Sequence, residues 1–393
     1  MTSHDPSFPA AAETLRAASS DTDVQAPWGG AHARRSFLRS LGFAGAAALP
    51  ASTLFTSEAM ARTGAITRGD AAILRFLAAV ELIESDLWQQ YNELGGVAGG
   101  NPAYMAALSN LDGDMPQYIS DNTDDELSHA AFLNAYLRSK GAQPVNLNEF
   151  RTLPSSKATG ARQVGRLTNL QSLDVDTSWY TRYRSKLSPD FGAKFAQAVK
   201  IRNQPAIPLN DSDTPPGTMQ PNPPVQQNAR RMQAIANTAG FHFAYIEQGG
   251  SSLYGTMALK ASSAGVLLIA LGIGGVETNH FSPWHDKAGN AVAQPLAGVR
   301  DPVTGLTFPD LNAKGGEATQ TNLILPEPTQ FISKDLPACS VVRPTLDEFA
   351  GAVATIKSFT ADKLFEGQSP KFFRTVMRLA SEADAAQRHV KGH

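Results

Sequence analysis

Cysteine is almost missing from this chain. Cys339 is the only one in 393 residues. That excludes an internal disulfide framework and any metal site built on thiolates. Charge is sparse and nearly balanced, with 34 Lys and Arg against 36 Asp and Glu, a net charge of -2 and a pI near 6.5. There is no basic block, so no nucleic-acid partner is expected. Long hydrophobic runs are also lacking. Ala264 to Val276 is apolar for 13 residues, too short to span a bilayer, and reads as a buried core helix. The length allows one to three domains with a large core.

What is present is a repeated pair of acid and imidazole. Glu126-Leu127-Ser128-His129 recurs as Glu277-Thr278-Asn279-His280. Positions i and i+3 share a helix face, so each motif aims a carboxylate and an imidazole at one point. With 14 Glu and 8 His in the chain, about 0.3 such spacings arise by chance, so one alone is weak. The context repeats as well. Val80-Glu81-x-x-x-Ser85-x-Leu87-Trp88 aligns with Ile246-Glu247-x-x-x-Ser251-x-Leu253-Tyr254. An internal duplication of a helix pair is implied, in the order Glu, Glu-x-x-His, Glu, Glu-x-x-His.

Residues 1–61 read as an export signal. Arg34-Arg35-Ser36-Phe37-Leu38-Arg39 resembles a twin-arginine signal, with Ala33 where Ser or Thr is usual and Arg39 where Lys is usual. A weakly apolar stretch from Leu41 to Phe55 follows, and Ala59-Met60-Ala61 fits a cleavage site. The mature chain is expected to start near Arg62, outside the cytoplasm, in the periplasm or secreted, with no stable membrane span after cleavage. The twin-arginine export machinery is then a partner.

A helix begins at Thr67-x-x-Asp70, a capping-box pattern with Asp for Glu, and Gly95-Gly96 ends it. Glu81 and Glu84 share its inner face. Glu84 aligns with Gly250 in the second repeat, so Glu81 is the preferred ligand and Glu84 the fallback. Pro102 to Leu111 is expected as a short helix. The second long helix runs from about Pro116 to Lys140, the third from Val225 to Leu259, and the fourth from Ser262 to Phe281, where Pro283 should end it. Asp125 is read as solvated, with orientation of a ligand as the alternative. Trp88 and Tyr254 are read as core aromatics, with electron donation as the alternative. His242 and His285 match nothing in the pattern and are read as peripheral. Residues 142–224 form a polar, proline-rich insertion, expected to cap a bundle spanning 62–285. Residues 286–393 form a loop-rich extension ending in two amphipathic helices.

At its four motif-bearing helices the chain resembles the ferritin-like superfamily, and within it the bacterial and plant group that includes the desiccation-related proteins. The resemblance covers about residues 67–141 and 225–285. It implies an all-α, four-helix ferritin-like bundle whose metal ligands are Glu81, Glu126, His129, Glu247, Glu277 and His280. The large insertions depart from storage ferritins and argue against a cage.

Four carboxylates around one point in an apolar bundle cannot all stay ionised without compensation. Two divalent cations would cancel them, and two imidazoles among the donors suit redox metals. Two iron ions are expected, with manganese as the alternative. The expected function is a di-iron oxidoreductase, a ferroxidase or an oxidase using dioxygen or peroxide. The alternatives are a dimanganese catalase and a non-enzymatic stress or desiccation protein whose metal site is structural or vestigial.

Overall fold

Helix α1, Arg68–Gly95, starts where Thr67 Oγ1 accepts the Asp70 amide at 3.0 Å. Asp70 does not complete the box expected of it. Its carboxylate turns across the fold and accepts the amides of Ser262 and Ser263 at 2.8 and 3.1 Å, satisfying donors ahead of a later helix. The computed structural model describes residues 66–182, 196–213, 224–292, 296–311, 313, 332–341 and 350–389. The expected export signal, 1–61, lies outside them. After α1 come α2 (Pro102–Leu111), α3 (Met115–Ser139), α4 (Pro224–Lys260), α5 (Ala264–Gly289), α6 (Ala352–Ala361) and α7 (Pro370–Asp384). One further helical turn covers Trp179–Arg182. The protein is all-α: the described residues contain no strand, only isolated antiparallel bridges such as Leu153 with Arg166.

The bundle is two helix pairs. α1 packs along α3, and α4 packs along α5. A link of three residues, 261–263, joins α4 to α5, which makes them antiparallel neighbours. α2 lies on α4, and α7 lies on α1. Among the described residues α3 and α5 share almost no backbone contact, so the seam between them is the wide one. Ser85 Oγ on α1 donates to the Glu126 carbonyl on α3 at 3.1 Å. This sets the register in which the glutamates of the two helices meet.

Pro283 does not end the fourth helix. α5 continues through it to Gly289. Proline removes the amide that would bond the Asn279 carbonyl, a cost of about 3 kcal/mol in a helix interior. Burial beyond the proline offsets it. Trp284 and His285 are almost wholly buried, and a large apolar side chain contributes about 2 kcal/mol. Trp284 Nε1 also donates to Asn122 Oδ1 at 2.8 Å, and His285 stacks on Tyr180 with centroids 5.8 Å apart. Ala264–Asp286 is long and apolar enough, by length and composition, to cross a membrane. It nevertheless carries Glu277 and His280 inward and lies along α4.

The described parts of 142–213 are tied to the bundle by buried polar groups. Asp86 on α1 accepts the amides of Leu167 and Thr168, each at 2.9 Å, and the Thr168 hydroxyl at 2.7 Å. Trp179 Nε1 donates to the Phe241 carbonyl at 3.1 Å, and Tyr104 Oη donates to Ala206 at 2.7 Å. A buried carboxylate is tolerated where its lone pairs are filled, and Arg151 completes Asp86 at 2.5 Å.

Candidate metal centre

All six residues singled out by the repeat converge between the helix pairs. Glu81 comes from α1, Glu126 and His129 from α3, Glu247 from α4, and Glu277 and His280 from α5. Two sets of four could each hold a metal ion: Glu81, Glu126, His129 and Glu277, and Glu126, Glu247, Glu277 and His280. Within each set one donor atom per residue lies within 4.8 Å of all the others. Glu126 and Glu277 belong to both.

Both imidazoles turn Nδ1 inward. His129 Nδ1 lies 3.3 Å from Glu126 Oε2 and 3.4 Å from both Glu81 Oε2 and Glu277 Oε1. His280 Nδ1 lies 3.2 Å from Glu126 Oε1 and 3.2 Å from Glu247 Oε2. The ring centroids are 6.4 Å apart. The four glutamate side chains are fully buried, while His129 and His280 keep 10% and 7% of their side-chain surface exposed. Among the described residues of the cluster, the two imidazoles are the members that reach solvent.

The electrostatics are those of too many acids in one dry place. Burial and the charges of Glu81 and Glu247 raise Glu126 to about 7. Burial and Glu126 push Glu277 well above the usual carboxyl range. Burial also works on Glu81, but the facing His129 outweighs it and holds that carboxyl low. Burial disfavours both imidazolium ions, yet Glu81 beside His129 and Glu247 beside His280 raise them strongly. The metal-free cluster thus carries protons that a cation would displace. Glu81 Oε2 and both oxygens of Glu277 are buried without a hydrogen bond, which leaves lone pairs free to bind a cation. Oxygen and nitrogen donors without sulfur suit iron, manganese or zinc.

Several neighbours hold the donors. Asn122, four residues before Glu126, donates through Nδ2 to Glu126 Oε1 and Glu247 Oε1, each at 3.0 Å. Trp284 fixes which way that amide points, because its Nε1 can bond only an oxygen. The Tyr254 hydroxyl bonds Glu81 Oε1. Asp125 is bonded rather than merely solvated: its Oδ2 lies 3.0 Å from His280 Nε2, close enough to orient the ring, although half the side chain faces water. A Cβ on Gly250 would lie 2.4 Å from Glu277 Oε2, so the missing side chain there is the space the carboxylate occupies. Asn122 was not singled out in the sequence, and Gly250 entered there only as the position aligned with Glu84. The helical offset of Asn122 from Glu126 and the alignment of Gly250 with Glu84 were the available signals.

Glu84 belongs to neither set of four. It is buried, its Oε1 has no hydrogen-bond partner, and burial with the charge of Glu277 raises it strongly. Trp88 is a core aromatic, stacked on Phe243 and Trp284 at 4.9 and 5.4 Å. His242 and His285 are not peripheral: both are fully buried. His242 Nδ1 pairs with the Tyr91 hydroxyl at 2.8 Å, and burial lowers its pKa to about 3. They are core histidines packed among aromatic rings, outside both sets of four.

A family model for the ferritin-like domain matches residues 69–289, more than half of the chain. No curated protein and no solved structure matches it significantly.

Proposed function

The chain belongs to the ferritin-like domain family, and on that premise we propose that it is an exported di-iron oxidoreductase acting on dioxygen or peroxide. One observation carries the reading: two sets of four buried N and O donors share Glu126 and Glu277. In this proposal Glu81 and His129 would hold one ion, Glu247 and His280 would hold the other, and Glu126 and Glu277 would be available to both. Iron is the preferred metal and manganese the second choice, since imidazole beside carboxylate favours redox ions over magnesium or calcium. Bound iron supplies the one-electron steps that dioxygen or peroxide chemistry needs.

The protein's own groups supply the rest. Four carboxylates balance the charge of two divalent ions. Asp125 orients His280 and raises the basicity of its inward nitrogen. Asn122 holds Glu126 and Glu247 at a common spacing, and Tyr254 holds Glu81. The helices packed around the glutamates keep their carboxylates out of bulk water. A twin-arginine signal in residues 1–61 would export the protein already folded, which fits loading of metal in the cytoplasm. It also fits the stress-related group that the motifs resemble. Mass spectrometry of the native N-terminus should place it near Arg62. An uncleaved chain in the cytosol would refute export.

The test of the activity is anaerobic loading of the metal-free protein with ferrous ion, followed by oxygen or peroxide. A diferric absorption band should appear faster than in buffer and be lost in Glu126→Ala. Elemental analysis should give close to two ions per chain, and none in the His129→Ala, His280→Ala double variant. Peroxide turnover with manganese alone would make the protein a catalase instead. Reaction no faster than free metal would leave the site a structural role.

A further inference from the structure

The apolar seam beside the site carries a second inference. A groove of about 240 Å³ lies between α3 and α5, lined by Phe132 and Tyr136 on one side and Gly265, Ile269, Gly272 and Ile273 on the other, with Leu268 at its lip. Among the described residues no charged side chain lines it. Its far end is closed where the Tyr136 hydroxyl would sit 2.9 Å from a Cβ on Gly265. Its near end is set by helix register. Phe132 is three residues past His129 and Ile273 is four residues before Glu277, so both lie on the same faces as those residues and one turn away, roughly 5–6 Å. The groove therefore runs along the seam toward His129, one of the two imidazoles of the cluster that reach solvent.

Leu268 and Leu271 are 61% and 59% exposed, and Phe132 is 41% exposed. Among the described residues these side chains leave an apolar face in solvent beside the groove. We infer that the groove binds the apolar chain of a small organic molecule and presents one end of it to the metal centre. The substrate class of the proposed oxidoreductase is then a hydrocarbon-like or acyl compound. The size argues for a small ligand over a protein segment. A cavity of about 150 Å³ lined by Leu, Ile and Phe holds benzene, so this one takes a chain or ring of roughly ten carbons. Its position argues the same way, because a ligand seated there would lie within one helical turn of His129. The existence of the groove does not depend on the metal, but its role as a substrate site rests on the metal-centre reading.

The test uses the folded, metal-free protein and a fluorescent acyl chain, 11-(dansylamino)undecanoic acid. Saturable binding of one probe per chain is expected. Gly272→Leu should weaken it at least tenfold. A Cβ at Gly272 meets open space, and leucine is a better helix former than glycine, so this variant should fold at least as well as the parent. Gly275→Leu, on the exposed face but outside the groove, should bind normally. In manganese-loaded protein, octanoate protons should relax faster through proximity to the ion, and Gly272→Leu should remove that effect.

No saturable binding, or binding indifferent to Gly272→Leu, overturns the inference. A sedimenting dimer that excludes the probe and is broken by Leu268→Glu also overturns it, because the face would then belong to a second copy. Probe binding without metal uptake would keep the groove and sink the metal centre. Metal uptake without probe binding would do the reverse.

Discussion

Replacing Gly250 by alanine should move stability and metal binding in opposite directions. Position 250 lies inside α4, and alanine exceeds glycine there by about 1 kcal/mol in helix propensity. The new Cβ, however, would lie 2.4 Å from Glu277 Oε2 and 3.1 Å from its Cδ, where ordinary contact begins at 3.4 Å. The obstructed group is the free end of a flexible side chain, so it moves aside by about 1 Å rather than straining the helix. A ligand must be held to about 0.5 Å to keep its site, and Glu277 is one of the two carboxylates available to both ions in the proposal. Loss of an outer partner alone lowers metal affinity about 10- to 100-fold, and displacing such a carboxylate should cost at least that. Thermal denaturation of metal-free Gly250→Ala should thus show an unchanged or slightly raised Tm. Calorimetric titration with manganese or anaerobic ferrous ion should show at least tenfold weaker binding. Equal stability with undiminished affinity would mean that Glu277 is not a ligand where it stands, and the shared-ligand arrangement would fall.

Asp125→Asn should lower metal affinity about 10-fold by weakening the hold on His280, while the melting of the metal-free protein stays close to the parent; unchanged affinity would return Asp125 to a solvated role. Asn122→Leu should destabilise the metal-free protein by about 3 kcal/mol in urea unfolding, because it strips a donor from two buried carboxylates and leaves Trp284 Nε1 unpaired; a loss under 1 kcal/mol would count against that network. The metal-free protein should lose stability as pH rises from about 6.5 to 8, above the range in which His242, lowered to about 3, works the other way. Glu126 is raised from its ordinary 4.5 to about 7, so its contribution is full below 4.5 and lost by 7, on the order of 3 kcal/mol at most. Glu84 and Glu277 are raised too and act the same way, and the raised histidines begin to lose theirs above 6.5. Glu81, held low, acts only below 4.5. Bound metal should flatten the slope, so the Tm gap between loaded and metal-free protein should widen with pH; metal-free stability that climbs over this range would refute the charge assignment.

The parts of the centre that depend on helical period were legible in the one-dimensional chain. Spacing of three residues places Glu126 with His129 and Glu277 with His280 on common faces whatever surrounds them, and the repeat supplied Glu81 and Glu247. The four long helices follow from the same periodicity and from local stops such as Gly95-Gly96. What depends on the distance between helices was not legible. Asn122 matters because Glu247 and Trp284 come to it from α4 and α5. Asp125 matters because His280 lies across the seam. Gly250 matters because Glu277 fills the space its side chain would take. Pro283 shows the contest most directly: its local preference is to stop a helix, and the burial of Trp284 and His285 against the rest of the bundle overrides it. Periodicity is a property of one segment and survives in any context. Which polar atom meets which donor is set by packing among segments far apart in the chain, and only the assembled bundle decides it.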